Sequence, residues 1–398
     1  MTEIAPVAAA PPLASVPLAE PFLGAEERAL VLQCLDDNCV SSVGPFVGRF
    51  EEEFARLVGA RHAVACASGT AALHLAAVSL GLGQDDEVWA PTFTFAATVN
   101  PFLYERCRIV LFDSEPETWN VDSELMLAEL SQRRRSGRGL PRAIVVAHIY
   151  GHPARLTDLA ATCRKLGIVL IEDACEAVNA FWIGRAYERR HVGSVGDAGC
   201  FSFNGNKLIT SGGGGMLVTD SDDLARLARH LSTQARIPGA AYWHDRAGYN
   251  YRLTNIAAAL GLGQLRLLPE IQARKRIIVE RYAASLRGLP GIVPPPRFPW
   301  ALANDWLFTV LVDATRFGAG RDVLLAHLAK KKIDVRPTWT PLHTLPYLRG
   351  CPFIGGAVAL GLAATGLSLP SSAGLTEQQQ ARVIAALREL AADTAHAE

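Results

Sequence analysis

The chain has 398 residues, with 39 basic and 39 acidic side chains and no formal net charge. That balance leaves no electrostatic footprint for nucleic acid, and no charge block long enough for an interaction tail. Hydrophobic residues make up 49% of the chain, ample for buried cores, and the length suits two domains. No run is apolar over the roughly 18 residues a membrane span needs. The Ala- and Pro-rich start, interrupted at Pro11, Pro12 and Pro17, lacks the basic and continuous apolar regions of a signal peptide. The expectation is a cytoplasmic protein with a flexible arm over residues 1–20. Eight cysteines at 34, 39, 66, 107, 163, 175, 200 and 351 include no CxxC pair, which argues for reduced, mostly buried thiols rather than a zinc or redox motif.

In chain order, His62–Ala67 reads as a strand, and Thr70–Leu82 as a helix with Leu73, Ala76, Ala77 and Leu80 on one face. A short strand over 87–90, a helix over 96–104, and strands over 108–112 and 143–148 follow. Next come a helix over 156–165 and an apolar run, Ile168–Glu172, ending in acid as buried parallel strands often do. Strands over 198–203 and 215–219 precede an amphipathic helix over 222–235. Thr254 N-caps a long helical stretch that Pro269 should break or kink. The stretch resumes through Arg281 and ends near Gly288. Pro294–Pro296 and Pro299 mark a crossing segment. Beyond it lie a strand over 306–312 and helices over 321–330 and 376–392. Alternating strands and helices predict an α/β fold with a mostly parallel sheet in a large domain, 21–275, and a smaller C-terminal α/β domain, 276–398. Ligands in such sheets gather at the carboxyl ends of the strands.

Three segments carry chemistry-bearing residues at such ends. Ser68-Gly69-Thr70 stands between a strand and a helix, where a phosphate would meet free N–H groups, although a plain N-cap turn reads the same way. Asp173 follows the strand 168–172 and could cap a helix or pair with a protonated ring nitrogen. Ser202-Phe203-Asn204-Gly205-Asn206-Lys207 runs into Leu208–Ser211 and four glycines, Gly212–Gly215. It does not match GxxxxGK[ST], and Gly81-Leu82-Gly83 is not continued as GxGxxG, so nucleotide-triphosphatase and dinucleotide readings fail. His148, His152 and His343 have no metal-ligand spacing, so no metal is expected.

Together with Pro91-Thr92-Phe93-Thr94-Phe95, Glu172-Asp173-Ala174 and Gly248–Asn255, these segments resemble the DegT–StrS family of sugar aminotransferases. The match extends from Ser41–Gly44 to Pro341-Leu342-His343. The resemblance implies fold type I, the aspartate aminotransferase-like fold, with pyridoxal phosphate as cofactor and pyridoxamine phosphate as its aminated form. It implies that Lys207 holds the cofactor covalently and moves the proton, in surroundings that disfavour its charge. Asp173 would keep the pyridine nitrogen protonated and Phe95 would stack on the ring. Gly69, Thr70 and Ser202 would take the phosphate, Glu176 would lie near the 3-hydroxyl, and Asn250 would reach the phosphate of a partner subunit in a homodimer with shared active sites. Arg236 and His343 are substrate-binding candidates. Arg236 and Arg336 suit a diphosphate or a carboxylate, with surface ion pairs preferred for Arg336 and a packed structural role equally open for His343.

The chain departs from the family pattern in places. Glu176 stands where many members have Gln or His, Gly213 where many have Glu, and Gln234 and Arg236 where His-Gly is frequent. The SFNGNK segment and Thr233-Gln234-Ala235 resemble the subgroup acting on UDP- or GDP-linked 4-keto-6-deoxy sugars, with L-glutamate as amino donor. Dehydratase relatives replace the lysine with histidine, whereas Lys207 is kept. A keto-octulosonate or keto-cyclitol aminotransferase, or a non-catalytic PLP-binding regulator, are the alternatives.

Overall fold

The computed structural model describes residues 14–184, 187–239 and 241–395; the expected arm lies outside the described residues over 1–13. The large domain holds β1 (His62–Cys66), β2 (Glu87–Pro91), β3 (Arg108–Phe112), β4 (Ala143–Ala147), β5 (Val169–Asp173), β6 (Phe181–Gly184), β7 (Glu188–His191), β8 (Ala198–Ser202) and β9 (Gly215–Thr219). Beyond them come β10 (Ile292–Val293), β11 (Ala301–Leu302), β12 (Phe308–Val312), β13 (Arg336–Pro337), β14 (Phe353–Ile354) and β15 (Gly366–Leu369). The main sheet has eight strands in the order β1-β9-β8-β5-β4-β2-β3-β14. β9 runs against the other seven. β14, which sequence periodicity misses because it is two residues long, adds to the β3 edge.

Buried strand residues alternate between two cores. In β1, Ala63 and Ala65 face one layer, Val64 and Cys66 the other, as a two-sided sheet requires. The helix Pro45–Val58 lays Phe50 and Phe54 on the first layer, within 5.0 Å of Phe203 and 4.9 Å of Phe201. These edge-on and tilted ring contacts fix the strand that ends in Ser202. The helix Gly69–Ser79 is buried on nearly every face rather than on the single stripe its spacing suggests. It lies between the sheet and the helices Asn100–Tyr104 and Asp222–Leu231, where an all-round apolar helix belongs.

Helix Asn255–Leu286 is continuous, with Pro269 inside it. The proline removes one helical hydrogen bond, but Leu265, Leu268 and Ile271 around it are buried in the large-domain core, and that packing holds the helix together. Farther on, Ile278, Tyr282 and Leu286 enter a second core with Phe308 and Val310. The buried face of this one helix thus passes from one core to the other between Ile271 and Ile278.

A second sheet is antiparallel, β10-β12-β15-β13, and the core beside it takes in Leu324, Leu328, Val383 and Leu387 from the helices Arg321–Lys330 and Glu377–Ala395. A third sheet, β11-β6-β7, bridges sequence-distant segments. The arm expected to be free to residue 20 is instead held from residue 14 onward. Val16 is buried in the small-domain core and bridges Ile333, and Leu18 O accepts from Ser371 N. Among the described residues no helix is long and apolar enough to cross a membrane.

Candidate active site

A cavity of about 630 Å³ opens at the carboxyl ends of the parallel strands, where the topology predicts a ligand site. It is lined by Ser68, Gly69 and Thr70 after β1, Thr94 and Phe95 after β2, Tyr150 after β4, Asp173 ending β5, Ser202 ending β8, and Glu176 and Lys207. Gly69, Thr70, Phe95, Asp173, Glu176, Ser202 and Lys207, separated by up to 138 positions in sequence, thus share one cavity.

Ser68 caps the helix Gly69–Ser79, its Oγ accepting from Ala71 N at 3.0 Å. The first-turn N–H groups at 69 and 70 have no intrahelical acceptor and sit at the positive end of the helix dipole. Glycine at 69 is demanded by crowding: a Cβ there would lie 2.6 Å from Cys175 Sγ and 2.8 Å from Ser202 Cβ. Gly215 on β9 is equally constrained, since a Cβ would meet Ser68 O at 2.3 Å. The glycine run after Lys207 is therefore partly a packing device. Gly213 faces open space.

Asp173, 8% exposed, is held on both oxygens. Thr98 Oγ1 donates to Oδ2 at 2.7 Å and Cys175 N to Oδ1 at 3.1 Å. Because the single Thr98 proton is used on the carboxylate, Thr94 Oγ1 donates to Thr98 Oγ1, 2.7 Å away. This hydroxyl relay sets the orientation of the acid.

Lys207 stands on a tight loop between β8 and β9, closed by Lys207 N donating to Asn204 O and Ser211 N to Phe203 O. Its Nζ lies 3.4 Å from Glu176 Oε1 and 4.0 Å from the ring centroid of Trp306. A carboxylate and the face of an indole thus meet the amine on two sides. Burial pushes the Glu176 carboxyl up to about 7, against the pull of Lys207. Its other oxygen accepts from Tyr150 N at 2.9 Å. Tyr150 reaches that position through left-handed backbone, φ 51°, costly for an aromatic residue. It stacks on Trp339 with centroids 4.4 Å apart, so Tyr150, Trp306 and Trp339 form an aromatic wall.

Other candidates fall elsewhere. Asn250 and Arg236 are exposed, outside the cavity of their own chain, on a loop carrying Tyr242 and Trp243, 84% and 67% exposed. His343 Nδ1 accepts from Thr92 Oγ1 at 2.7 Å, and its ring stacks on Phe353; it too lies outside the cavity, packed as a structural histidine. Arg336 lines the cavity mouth and takes part in none of the ion pairs found among the described residues. Sequence reasoning misses Thr98, Tyr150, Trp306 and Trp339. Tyr150, just past a strand end, is the one with a positional signal.

Among the described residues no cluster of His, Cys, Asp or Glu is arranged to hold a metal ion. A profile of the DegT/DnrJ/EryC1/StrS aminotransferase family matches residues 21–388. The chain is 38% identical to EpsN of Bacillus subtilis (strain 168), described as a pyridoxal phosphate-dependent aminotransferase, over 94% of this chain and 95% of that one. It is also 38% identical to the GDP-perosamine synthase of Caulobacter vibrioides, over 95% and 99%. The crystal structure of S. venezuelae DesV in complex with a ketimine intermediate superposes with a TM-score of 0.81 at 31% identity, covering 94% of this chain and 99% of that one. The chain therefore belongs to the DegT/DnrJ/EryC1/StrS aminotransferase family and is a pyridoxal-phosphate enzyme with the fold of that family.

Proposed function

We propose that this aminotransferase moves an amino group from L-glutamate to the keto carbon of a nucleotide-linked 4-keto-6-deoxy sugar, with Lys207 as its cofactor lysine. The observation that carries the reading is the convergence of a helix N-terminus, a buried and oriented aspartate and a lysine in one cavity. The relatives that are GDP-perosamine synthases make a GDP-linked sugar the first candidate.

The lining fits pyridoxal phosphate: the helix N-terminus with a glycine that leaves no room for a side chain suits a phosphate, and Asp173 suits a pyridinium nitrogen. When bound, the cofactor supplies an aldehyde that carries the amino group and a ring that withdraws electrons. Gly69 and Thr70 offer N–H groups to the phosphate, with the Ser202 hydroxyl beside them. Asp173, oriented by Thr98 and Thr94, holds the ring nitrogen protonated. Phe95 would pack against the ring, and Glu176 would lie near its 3-hydroxyl. To act as a nucleophile Lys207 must be a neutral amine, so it would first give up a proton, which Glu176 Oε1 is in range to receive. Lys207 then removes and returns the proton at the substrate carbon.

Asn250 and the exposed loop around Tyr242 and Trp243 serve a second copy of the chain, completing its phosphate site in a cytoplasmic homodimer. Tyr150 and Trp339 give the sugar an apolar wall. Arg336 meets an anionic group at the mouth, the diphosphate or the glutamate carboxylate.

Purified protein incubated with ¹⁵N-labelled glutamate and GDP-, UDP- or dTDP-linked 4-keto-6-deoxy sugars tests the proposal by product mass. Transfer of ¹⁵N to one of these sugars supports it. Transfer only to a keto-octulosonate or keto-cyclitol, or to nothing, rejects it.

A further inference from the structure

We propose that Trp306 is a positioning residue for Lys207: its indole face and the Glu176 carboxylate together form a seat for the lysine in its ammonium form. The inference rests on the reading of Lys207 as the cofactor lysine.

The seat is built from both domains. Lys207 Nζ lies over the Trp306 ring at 4.0 Å, within the range at which the negative face of an indole attracts a cation. Glu176 Oε1 lies 3.4 Å from the same nitrogen. Trp306 is 5% exposed and is fixed at three points. Its Nε1 donates to Asn206 O at 2.6 Å, in the loop that carries Lys207. Its backbone N donates to Asn304 Oδ1 at 3.0 Å, and its carbonyl accepts from Lys275 Nζ at 2.6 Å. Asn304 in turn donates to Glu176 O and Val178 O, so the two halves of the seat are tied to each other.

Lys275 is buried on the long helix and also donates to Ser371 O and Ser371 Oγ. Burial lowers its pKa to about 7, against the pull of Asp305. A buried amine is a costly way to fix one backbone carbonyl, which is understandable if the indole above it must not move.

An aminotransferase frees its lysine once in each half-reaction. The released amine takes up a proton, and its long chain has many rotamers outside the site. A seat of π-face and carboxylate holds the ammonium within reach of the reacting carbon, and Glu176 relieves it of the proton when attack is due. The other titratable groups of the cavity leave the seat to Glu176. Asp173 is tied to Thr98 and Cys175 N, while burial keeps Cys175 and Tyr150 protonated. His148 is spent on Glu172, Asp334 accepts from Leu18 N, and Arg336 stands at the mouth.

The test uses the full-length chain freed of cofactor. Labelling of Lys207 by an amine reagent is followed against pH by peptide mass, giving the titration midpoint of that one amine. Trp306→Leu is expected to lower the midpoint by about 0.4 to 1.5 pH units, while Trp306→Phe, which keeps a ring face and loses the tether to Asn206, restores most of it. Replacing Trp306 with increasingly fluorinated tryptophans keeps shape and N–H donor, so it guards against a misfolded leucine variant. The midpoint is expected to fall stepwise with fluorination. An unchanged midpoint in Trp306→Leu, an equal drop in Trp306→Phe, or no trend with fluorination overturns the proposal. Covalent cofactor still present in Lys207→Arg sinks instead the reading beneath it, whatever the midpoints show.

Discussion

Glu172, one residue before Asp173, sets the geometry of the site from beneath, and Glu172→Gln measures how much. The carboxylate is fully buried and accepts four hydrogen bonds. Val195 N and Gly196 N donate to Oε1 at 2.6 and 2.7 Å, and Gly193 N and His148 Nε2 donate to Oε2 at 2.7 and 3.0 Å. His148 Nδ1 accepts from Ala154 N, so the histidine proton is on Nε2 and the ring donates. Burial alone would raise this carboxyl, but the donors outweigh it and hold it below the usual range. A glutamine amide can turn either way, and each way sets its NH₂ against two N–H donors. Two buried donors left without an acceptor, at about 1–3 kcal/mol each, predict a loss of about 2–6 kcal/mol. Urea unfolding of the full-length protein at pH 7.5 reads this directly. The folded carboxyl lies below its unfolded value, so its contribution is present above the unfolded pKa and fades as pH falls through the acid range. The gap between wild type and Glu172→Gln should therefore narrow in acid. A loss under about 1 kcal/mol at pH 7.5 would refute the four-donor account.

His191 gives a second pH test. Its Nδ1 donates to Val192 O and its Nε2 accepts from Asn179 N at 2.8 Å, and burial lowers its pKa from 6.5 to about 4. Its contribution, about 3 kcal/mol for that shift, is present above pH 6.5 and lost as pH falls toward 4. Thermal melts of His191→Gln, which keeps an acceptor for Asn179, should fall less steeply over that window than wild type, and an equal slope contradicts the assignment. Gly69→Ala should weaken pyridoxal phosphate binding at least about tenfold in a spectral titration; unchanged affinity would mean that the crowding against Cys175 and Ser202 is relieved at no cost. Mixing Lys207→Arg and Asn250→Ala subunits, each inactive alone, should restore activity, because one hybrid site then has both Lys207 and a partner Asn250. Continued inactivity in verified hybrids would place Asn250 in its own chain's chemistry or outside it.

The residues legible in sequence are those whose role is local. Ser68-Gly69-Thr70, Asp173 and Lys207 each stand at or a few residues past the end of a strand, so the strand pattern places them at one edge of the sheet. Trp306 and Trp339 are opaque because they lie far along the chain from the motif segments: Trp306 reads only as the start of a strand, whereas Arg336 is legible as an anion-binding candidate but not as a cavity residue. Trp306 is brought to the cavity by tertiary contacts to Asn206, Asn304 and Lys275. Of the break or kink expected at Pro269, the break does not occur, since packing on both sides outweighs one lost hydrogen bond. For His343 the structural alternative holds within one chain: its ring packs on Phe353 and bonds Thr92. Asn250 and Arg236 are exposed and do not line their own cavity, which no periodicity along the chain could report.

The account turns on which lysine carries the cofactor. Borohydride reduction of the yellow holoprotein, followed by proteolysis and peptide mass, should place one phosphopyridoxyl adduct on the peptide containing Lys207 and none on that peptide from Lys207→Arg. An adduct on Lys275 or any other lysine, or none at all, would contradict it.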